Sequence, residues 1–262
     1  MMPAVNPFEN PTPLQPYRKA IVIGASRGIG EAIAKKLAQQ GYLVAAVSLS
    51  LEKAQAVCDE INHISGKNVA KAYAHDTRDT SEVPGLLKQI MAELGGLDLL
   101  VYNAGVLLPT TLTTYQFEND LGMMQVNVIG AMAWMNAVAP LFQELGQGQI
   151  VGISSVAGDR GRVKNPAYTA SKAALTTYLE ALRNRLTRYG VNVLTIKPGF
   201  VDTDMTNSQT KLFWLISPDK AAEDIWKAIR NRKQVVYTPF QWRYLMLLIQ
   251  HIPSFIFRRL SF

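Results

Sequence analysis

The stretch "KAIVIGASRGIGEAIAKKLAQQG", residues 19 to 41, joins an apolar run to an amphipathic run through a glycine-rich turn. The apolar run predicts a strand, and the amphipathic run near 28–40 predicts a helix. Gly24, Gly28 and Gly30 allow the backbone to turn tightly and to approach a pyrophosphate, which the free N–H groups at the helix N-terminus attract. Glycine also serves turns for steric reasons alone. Between a strand and a helix at the start of an α/β chain, this turn favours dinucleotide binding.

The alternation of short apolar runs and longer amphipathic runs continues along the chain. Runs such as "LDLLVY" and "VNVLTI" are almost continuously apolar, as expected of parallel strands covered on both faces. The pattern predicts strands near 19–23, 43–48, 68–74, 98–102, 149–154, 191–197 and 234–237. It predicts helices near 28–40, 52–64, 80–94, 119–144, 166–189 and 218–231. The expected fold is α/β, a single Rossmann-type doubly wound parallel sheet of about seven strands with helices on both faces.

The expected organisation has three parts. The proline-rich residues 1–16 form an extended N-terminal arm, residues 17–239 form the Rossmann domain, and residues 240–262 form an apolar and basic C-terminal tail. No internal repeat or linker divides the domain.

The composition excludes several kinds of site. The 262 residues are 48% hydrophobic and 18% charged, which suits a globular chain with a full core. A single cysteine excludes an intramolecular disulfide, and Cys58, His63, His75 and His251 lack metal-ligand spacing, so we expect no metal site. The N-terminus has no apolar core of a secretory signal. We expect a cytoplasmic protein with no nucleic-acid partner.

The segment "YTASK", residues 168 to 172, places a phenol and an ammonium four positions apart. On a helix these positions lie on one face, so Tyr168 and Lys172 can point into the same cleft. An isolated pair of this kind is more often two solvated surface residues, and the other motifs of the chain must decide.

Several motifs in order make the chain resemble the short-chain dehydrogenase/reductase family over residues 17 to 237. The glycine turn has G-x-x-x-G-x-G spacing, and it is followed by "YNAG" (102–105), "VNVIG" (126–130), "ISSVAG", "YTASK" and "KPGFVDTDM" (197–205). Two positions depart from the usual pattern: Ile23 stands where the family commonly has threonine, and Tyr102 where it has asparagine. Neither residue transfers a proton in the family mechanism, so we expect the chemistry to survive.

The resemblance implies hydride transfer between a nicotinamide cofactor and a carbonyl or secondary alcohol, with Asn127, Ser155, Tyr168 and Lys172 as catalytic residues. Ser155 would polarise the carbonyl, Tyr168 would act as acid or base, and Asn127 would anchor a water relay behind Lys172. A charge about 4 Å from the phenol contributes about 4 kcal/mol at an effective dielectric near 20. We therefore expect Lys172 to bring the pKa of Tyr168 toward neutrality. Individually, each residue could have a structural role only.

The resemblance also implies the cofactor contacts. They are Gly24, Ser26, Arg27, Gly28, Ile29, Gly30, Ser48, Asp76, Thr77, Asn103, Ala104, Gly105, Tyr168, Lys172, Pro198, Gly199, Val201 and Thr203. Relatives that select NAD tend to end the second strand with an acid, whereas this strand ends in "VSLS". Arg27 could meet a 2′-phosphate with a charge-assisted hydrogen bond, or be a solvated loop cation. We expect NADP (NADPH), with NAD as the alternative.

The stretch "TNSQTKLFWLISP" follows the proline-glycine motif, at the place where the family covers its substrate. Its apolar run, residues 212–216, favours a hydrophobic or lipid-linked carbonyl substrate. The same run could be an oligomer contact in a homodimer or homotetramer.

The tail "FQWRYLMLLIQHIPSFIFRRLSF", residues 240 to 262, is too short in its apolar run to cross a bilayer, and Pro253 interrupts it. Its apolar bulk with flanking arginines and aromatics is typical of a segment in the headgroup region of an anionic membrane. It is also similar to the ends of bacterial short-chain reductases that act on polyprenyl-phosphate-linked keto sugars. We expect a peripheral contact at the inner face of the membrane. A subunit contact or a flap over the active site is the competing interpretation.

Three functional classes remain open from sequence. An NADPH-dependent carbonyl reductase is favoured. A catalytically silent NADP-binding regulatory protein is disfavoured by the intact Ser155, Tyr168 and Lys172. An epimerase or dehydratase that uses the same tyrosine is disfavoured because the chain lacks a large C-terminal substrate domain.

Overall fold

In the computed structural model, which describes residues 18–113, 115–206 and 212–260, the strands form one parallel sheet. The strands are β1 (Arg18–Ile23), β2 (Tyr42–Ser48), β3 (Ala70–Ala74), β4 (Leu99–Tyr102), β5 (Gln149–Ile153), β6 (Asn192–Pro198) and β7 (Val235–Thr238). Their order is β3-β2-β1-β4-β5-β6-β7, and all neighbouring pairs are parallel. The predicted doubly wound sheet is confirmed. Its order reverses between β1 and β4, where ligands of such sheets bind at the carboxyl ends of the strands.

Helices connect the strands and cover both faces of the sheet. They are α1 (Gly28–Gln39), α2 (Leu51–Ser65), α3 (Val83–Leu94), α4 (Phe117–Met124), α5 (Gly130–Leu145), α6 (Pro166–Leu186), α7 (Pro218–Arg230), α8 (Gln241–His251) and α9 (Ser254–Phe257). A π-helical turn (Gln125–Ile129) separates α4 from α5, and 3₁₀ turns (Val156–Asp159 and Thr187–Tyr189) follow β5 and α6. The helix predicted at 119–144 is therefore one continuous helical stretch that contains a π-helical turn. The predicted arm at 1–16 lies outside the described residues.

The core lies on both faces of the central strands. Every residue of β2 is buried, and so is β1 from Ala20 to Ile23. A strand buried on both faces must be apolar at nearly every position, which explains its continuous apolar run. Along α5, the inward side chains Trp134, Met135 and Phe142 are fully buried in this core.

One continuous helical stretch among the described residues, Phe117–Leu145, is long and apolar enough by composition to cross a membrane. Its α5 part, however, belongs to the main core of the domain. Core helices of globular domains meet the same criterion of length and composition, so burial accounts for the apolar character of the α5 part.

The C-terminal tail packs on its own domain through one helix face. Trp242, Met246 and Ile249 of α8 are buried and form a small cluster with Val156, the residue after Ser155. Arg160 fastens the end of this segment, because its guanidinium donates to the backbone oxygens of Gln250 and Ile252 at 2.7 and 2.9 Å. The tail therefore lies beside the segment that carries Ser155. A flap over the active site, the competing interpretation of the tail, would lie in this region.

Candidate active site

The glycine turn between β1 and α1 has no room for side chains at two positions. Gly24 adopts a φ of +83°, in the left-handed region that favours glycine. A Cβ at Gly30 would lie 1.9 Å from the backbone oxygen of Gly24. The backbone of the turn can therefore approach a ligand closely, and the N-terminus of α1 opens toward it. This cradle fits the pyrophosphate of a dinucleotide.

The "NAG" segment after β4 closes the other side of the turn. Asn103 donates from its side chain to the backbone oxygen of Gly24 at 2.9 Å, and its backbone N–H donates to Ile23 at 2.9 Å. Ala104 lies against Gly24 so closely that a Cβ there would come within 2.7 Å of the Ala104 backbone. Asn103 and Ala104 therefore hold the shape of the cradle.

The carboxyl end of β2 carries no acid, as the sequence indicates. Ser48 is buried, Leu49 is exposed, and Ser50 caps α2 by accepting from the backbone N–H of Lys53. No side chain here would repel a 2′-phosphate.

Arg27 pairs with a residue far away in the sequence. Its Nη1 atom pairs with Asp204 Oδ2 at 2.8 Å, and both side chains are about two-thirds exposed, at 68% and 67%. An exposed ion pair of this kind contributes at most about 1 kcal/mol, so a phosphate can compete for the guanidinium. Arg27 is thus a largely exposed cation paired with Asp204, and its contact with a 2′-phosphate stays a prediction.

The two residues expected near adenine differ in their surroundings. Asp76 accepts three hydrogen bonds from the guanidinium of Arg78 and one from its backbone N–H, and the Arg78 guanidinium holds the pKa of Asp76 below its usual value. Thr77 is buried, and its backbone oxygen lies against Gly130. Asp76 thus lies at the surface of the predicted adenine site, whereas Thr77 faces the protein interior.

The proline-glycine segment after β6 lies beside the glycine turn. Pro198 ends the strand, the Gly199 N–H donates to Thr238 at 2.9 Å, and Val201 forms a bridge with Ile216. A Cβ at Gly28 would lie 3.1 Å from the Thr203 side chain. Of the remaining predicted cofactor residues, Ser26 and Ile29 are half-buried in the glycine turn, and Gly105 follows Ala104.

The π-helical turn positions Asn127 in the interior. Its amide oxygen accepts from the backbone N–H of Val106 at 2.8 Å, and its amide nitrogen donates to Val106 O at 3.0 Å and to Ser171 Oγ at 2.9 Å. A Cβ at Gly105 would lie 3.2 Å from Lys172 Nζ and 3.3 Å from Asn127 Oδ1. Asn127 and Lys172 are therefore neighbours across Gly105.

Ser155 and Tyr168 meet at the end of β5 and the start of α6. Ser155 Oγ accepts from the backbone N–H of Ala157 at 3.0 Å, which caps the 3₁₀ turn. The Ser155 hydroxyl also hydrogen-bonds the Tyr168 phenol and acts to lower its pKa. Lys172 Nζ lies 5.8 Å from the centre of the Tyr168 ring and donates to Ile153 O at 3.0 Å. The structure therefore brings all four predicted catalytic residues together.

The expected lowering of the Tyr168 pKa is absent from this structure. Burial raises the pKa of the phenol, because the phenolate loses hydration, and this outweighs the Ser155 hydrogen bond and the charge of Arg162. Burial also lowers the pKa of Lys172 to about 8. Lys172 still carries its proton at neutral pH, but Tyr168 does not reach neutrality through it alone.

The two departures from the family pattern have clear surroundings. Ile23 is fully buried in β1. Tyr102 is also fully buried, and its hydroxyl donates to the backbone oxygen of Val126 at 2.6 Å. Tyr102 thus supports the π-helical turn next to Asn127 through its hydroxyl.

Three features of the site were not predicted from sequence. The Sδ of Met205 lies 3.9 Å from the Tyr168 hydroxyl, Arg162 lies close enough for its charge to act on the phenol, and Trp242 packs over Gly199. Arg162 could have been suspected, since it is six residues before Tyr168 in a basic loop. Met205 and Trp242 have no local signal, because their positions depend on how distant segments pack.

Comparisons with known proteins agree with this geometry. Residues 18–212 match the family described as short chain dehydrogenase. An uncharacterised oxidoreductase of Myxococcus xanthus is 36% identical over 242 residues, covering 92% of this chain and 95% of that protein. The ketoacyl reductase HetN of a Nostoc species is 33% identical over 220 residues, covering 82% and 76%. The crystal structure of gox2181 has the same fold, with a TM-score of 0.78 and 22% identity over 86% of this chain and 96% of that one.

Proposed function

Because this chain belongs to the short-chain dehydrogenase family of oxidoreductases, we propose that it is an NADPH-dependent carbonyl reductase, which runs in reverse as a secondary-alcohol dehydrogenase. The observation that carries the proposal is the meeting of Ser155, Tyr168, Lys172 and Asn127 beside a glycine cradle that fits a pyrophosphate.

Each of these residues has one task at the carbonyl. When bound, NADPH supplies the hydride. Tyr168 donates a proton to the oxygen of the reduced carbonyl, and Ser155 orients that oxygen by a hydrogen bond. Lys172 holds positive charge near the phenol, which favours the phenolate left behind. Asn127, next to Lys172 across Gly105, anchors the path by which the proton is replaced.

The walls beside the site favour a hydrophobic substrate. Trp242 lies edge-on to Phe200 and to Trp214, with ring centres 5.5 and 5.4 Å apart. Trp214 belongs to the apolar run 212–216 that follows the proline-glycine motif. Aromatic walls of this kind bind apolar ligand surface while a few polar groups fix its orientation.

The proposal is tested by NADPH oxidation against a panel of aldehydes and ketones of increasing apolar size, with NADH in a parallel series. We expect turnover that is faster with NADPH and that improves with apolar size. Binding of NADPH without oxidation by any carbonyl would instead favour a regulatory protein.

Replacement of Arg27 by alanine is expected to weaken NADPH binding by about 1.5–3 kcal/mol, the range for a hydrogen bond to a charged group. This corresponds to an increase of about 10- to 150-fold in the NADPH dissociation constant. NADH binding should hardly change, because NADH lacks the 2′-phosphate. Titration of both cofactors by fluorescence measures the difference.

A matched control is Lys35→Ala, which removes a cation of α1 that pairs with Glu31 and Glu60. Its two dissociation constants should equal those of the parent. Equal losses of NADH and NADPH affinity in the Arg27 variant would refute the assigned role.

A further inference from the structure

Arg162 is a half-buried cation whose charge acts on the catalytic phenol. Among the ion pairs formed by the described residues, none includes Arg162. Its Nε atom is buried without a hydrogen-bond partner. Its Nη2 atom lies 3.9 Å from the Sδ of Met246, which is a weak acceptor. Within the part of the chain that the structure describes, this guanidinium therefore meets no strong acceptor.

An acidic group near Arg162 is already committed elsewhere. Asp159 forms a buried salt bridge with Lys197 and accepts from the Tyr237 hydroxyl at 2.8 Å. Asp159 thus has a partner on each oxygen, and it acts on Arg162 only through its charge. Leaving buried donors without partners is costly, so the position of Arg162 calls for a reason beyond packing.

The location of Arg162 supplies that reason. It lies between Tyr168, whose pKa its charge acts to lower, and α8, which contributes Met246. A substrate whose carbonyl lies at Tyr168 is therefore within reach of the charge of this guanidinium. The planar fork of arginine matches the oxygens of carboxylates and phosphates, which bind it through two parallel hydrogen bonds.

We propose that Arg162 binds an oxyanion, a carboxylate or a phosphate, carried by the carbonyl substrate. This inference rests on the proposed reductase function and assigns a substrate class to it. Arg162 then determines specificity, while Ser155 and Tyr168 act on the carbonyl itself.

The test compares 4-formylbenzoate with its neutral methyl ester, using saturating NADPH. The parent should reduce the carboxylate with a kcat/KM at least about tenfold above that of the ester, as expected of one charged hydrogen-bonding contact. Arg162→Met should lose this preference: its kcat/KM for the carboxylate should fall to about that for the ester, whatever common loss the missing charge near Tyr168 causes for both aldehydes. Arg162→Lys, which keeps the charge without the fork, should retain part of the preference. Thermal unfolding of the NADPH-loaded variants reports whether each is folded.

A binding measurement gives a readout that does not depend on turnover. Benzoate and phenyl phosphate should raise the unfolding temperature of the NADPH-loaded parent but not that of Arg162→Met, and the larger shift identifies the favoured oxyanion. Arg160→Met is the contrast, because Arg160 bonds backbone oxygens and should affect both aldehydes equally.

The outcomes separate the two claims. Failure of the parent to oxidise NADPH with any carbonyl contradicts the proposed function. Reduction of both aldehydes without a preference, or equal loss of both in Arg162→Met, overturns the role of Arg162 alone. Equal thermal shifts in parent and variant overturn it as well.

A second, independent feature is the outer face of the tail. The inner face of α8 packs on the domain, but large apolar side chains on the opposite side of the tail are exposed. We call these side chains the outer tail face: Phe240, Tyr244, Leu247, Leu248, Phe255, Ile256 and Leu260. The exposed fractions of Leu247 and Leu248 are 55% and 69%. Several large apolar side chains exposed on one short segment mark an interaction site.

The charges on the outer tail face distinguish between two binding partners, a second copy of this chain and an anionic phospholipid surface. Arg243, Arg258 and Arg259 are exposed within the segment, and residues 240–260 contain no Asp or Glu. A two-fold contact between copies centred on this face would bring arginines toward arginines, because such interfaces pair the same patch on both subunits. An anionic phospholipid surface accepts both the apolar side chains and the arginines.

We propose that the outer tail face docks the enzyme on anionic phospholipid, as a peripheral protein at the cytoplasmic membrane surface. The apolar side chains enter the boundary between headgroups and acyl chains, and the arginines bind lipid phosphates. The candidate active site, whose wall α8 forms, then lies next to the membrane surface.

Sedimentation with vesicles tests the docking. The full-length protein should sediment with phosphatidylglycerol and phosphatidylcholine vesicles, be released by salt, and stay in solution with phosphatidylcholine alone. The double variant Leu247→Asp/Leu248→Asp should stay in solution with both. The control Ile64→Asp/Leu145→Asp changes two leucine-sized exposed side chains elsewhere, with exposures of 65% and 51%, and should sediment like the parent.

Recovery of the parent in the supernatant with both vesicles overturns the proposal. Equal sedimentation of the parent and the tail variant overturns it as well. If light scattering shows that the tail variant changes solution mass but not vesicle binding, the face is a contact between copies of this chain.

Discussion

The Tyr168→Phe protein is expected to lose carbonyl reduction by about 10²- to 10⁴-fold, the usual contribution of a positioned general acid. The substitution removes only the hydroxyl that Ser155 hydrogen-bonds and leaves the ring that lies beside Lys172. NADPH binding should be nearly unchanged, because the glycine cradle and the "NAG" segment hold their shape without this hydroxyl. Steady-state NADPH oxidation and a fluorescence titration measure the two quantities separately.

Tyr178→Phe provides the matched control for this substitution. Tyr178 lies on the same helix, α6, and hydrogen-bonds Asn136 away from the site. Its variant should reduce the carbonyl at the parent's rate. A Tyr168→Phe enzyme that retains more than about 5% of the parent's turnover would contradict the role of the phenol as general acid.

The Lys172→Met protein is expected to lose most of its turnover and to bind NADPH more weakly, because the buried charge beside the phenol disappears. The difference in unfolding free energy between the variant and the parent should also change with pH. Burial lowers the pKa of Lys172 from 10.5 to about 8. Below about pH 8 the folded chain therefore buries a charge, which costs about 3 kcal/mol relative to the unfolded chain.

Between pH 8 and 10.5 the unfolded chain keeps a proton that the folded chain has released, so the free energy of unfolding of the parent rises with pH. The variant lacks this rise. At pH 7 methionine removes the buried charge, but the loss of the hydrogen bond to Ile153 O offsets about 1–3 kcal/mol of the gain. The difference in unfolding free energy, variant minus parent, should fall by up to about 3 kcal/mol from pH 7 to pH 10.5.

Guanidinium unfolding at several pH values measures this difference. The control is Lys88→Met, which removes an exposed lysine of α3 and should give a difference that does not change with pH. A constant difference for Lys172→Met would show that this lysine is not desolvated in the folded chain.

Local sequence pattern was sufficient for the sheet and for the motif positions. The strands are apolar at nearly every position because both faces of the sheet are covered. The tight turn is predicted by Gly24 and Gly30, where no side chain fits. Tyr168 and Lys172 could be paired because a helix sets their spacing. These properties depend on neighbours within a few residues.

The remaining features depend on distant contacts, which a pattern of neighbours does not contain. Arg27 and Asp204 pair across a separation of 177 residues. The apolar periodicity around Asn127 is compatible with a regular α-helix, so it does not predict the π-helical turn there. That turn is supported by Tyr102, which lies in strand β4. The raised pKa of Tyr168 follows from desolvation by surrounding segments, which outweighs the nearby polar groups.

Hydride transfer at this site is tested most directly with NADPH carrying deuterium at the transferable position of the nicotinamide, with mass spectrometry of the alcohol product. We expect the parent to place the label on the former carbonyl carbon, and Tyr168→Phe to bind the labelled cofactor but form almost no labelled alcohol. An alcohol without the label, or a parent that binds NADPH and transfers no deuterium to any carbonyl of the panel, would contradict the assignment of this site to hydride transfer.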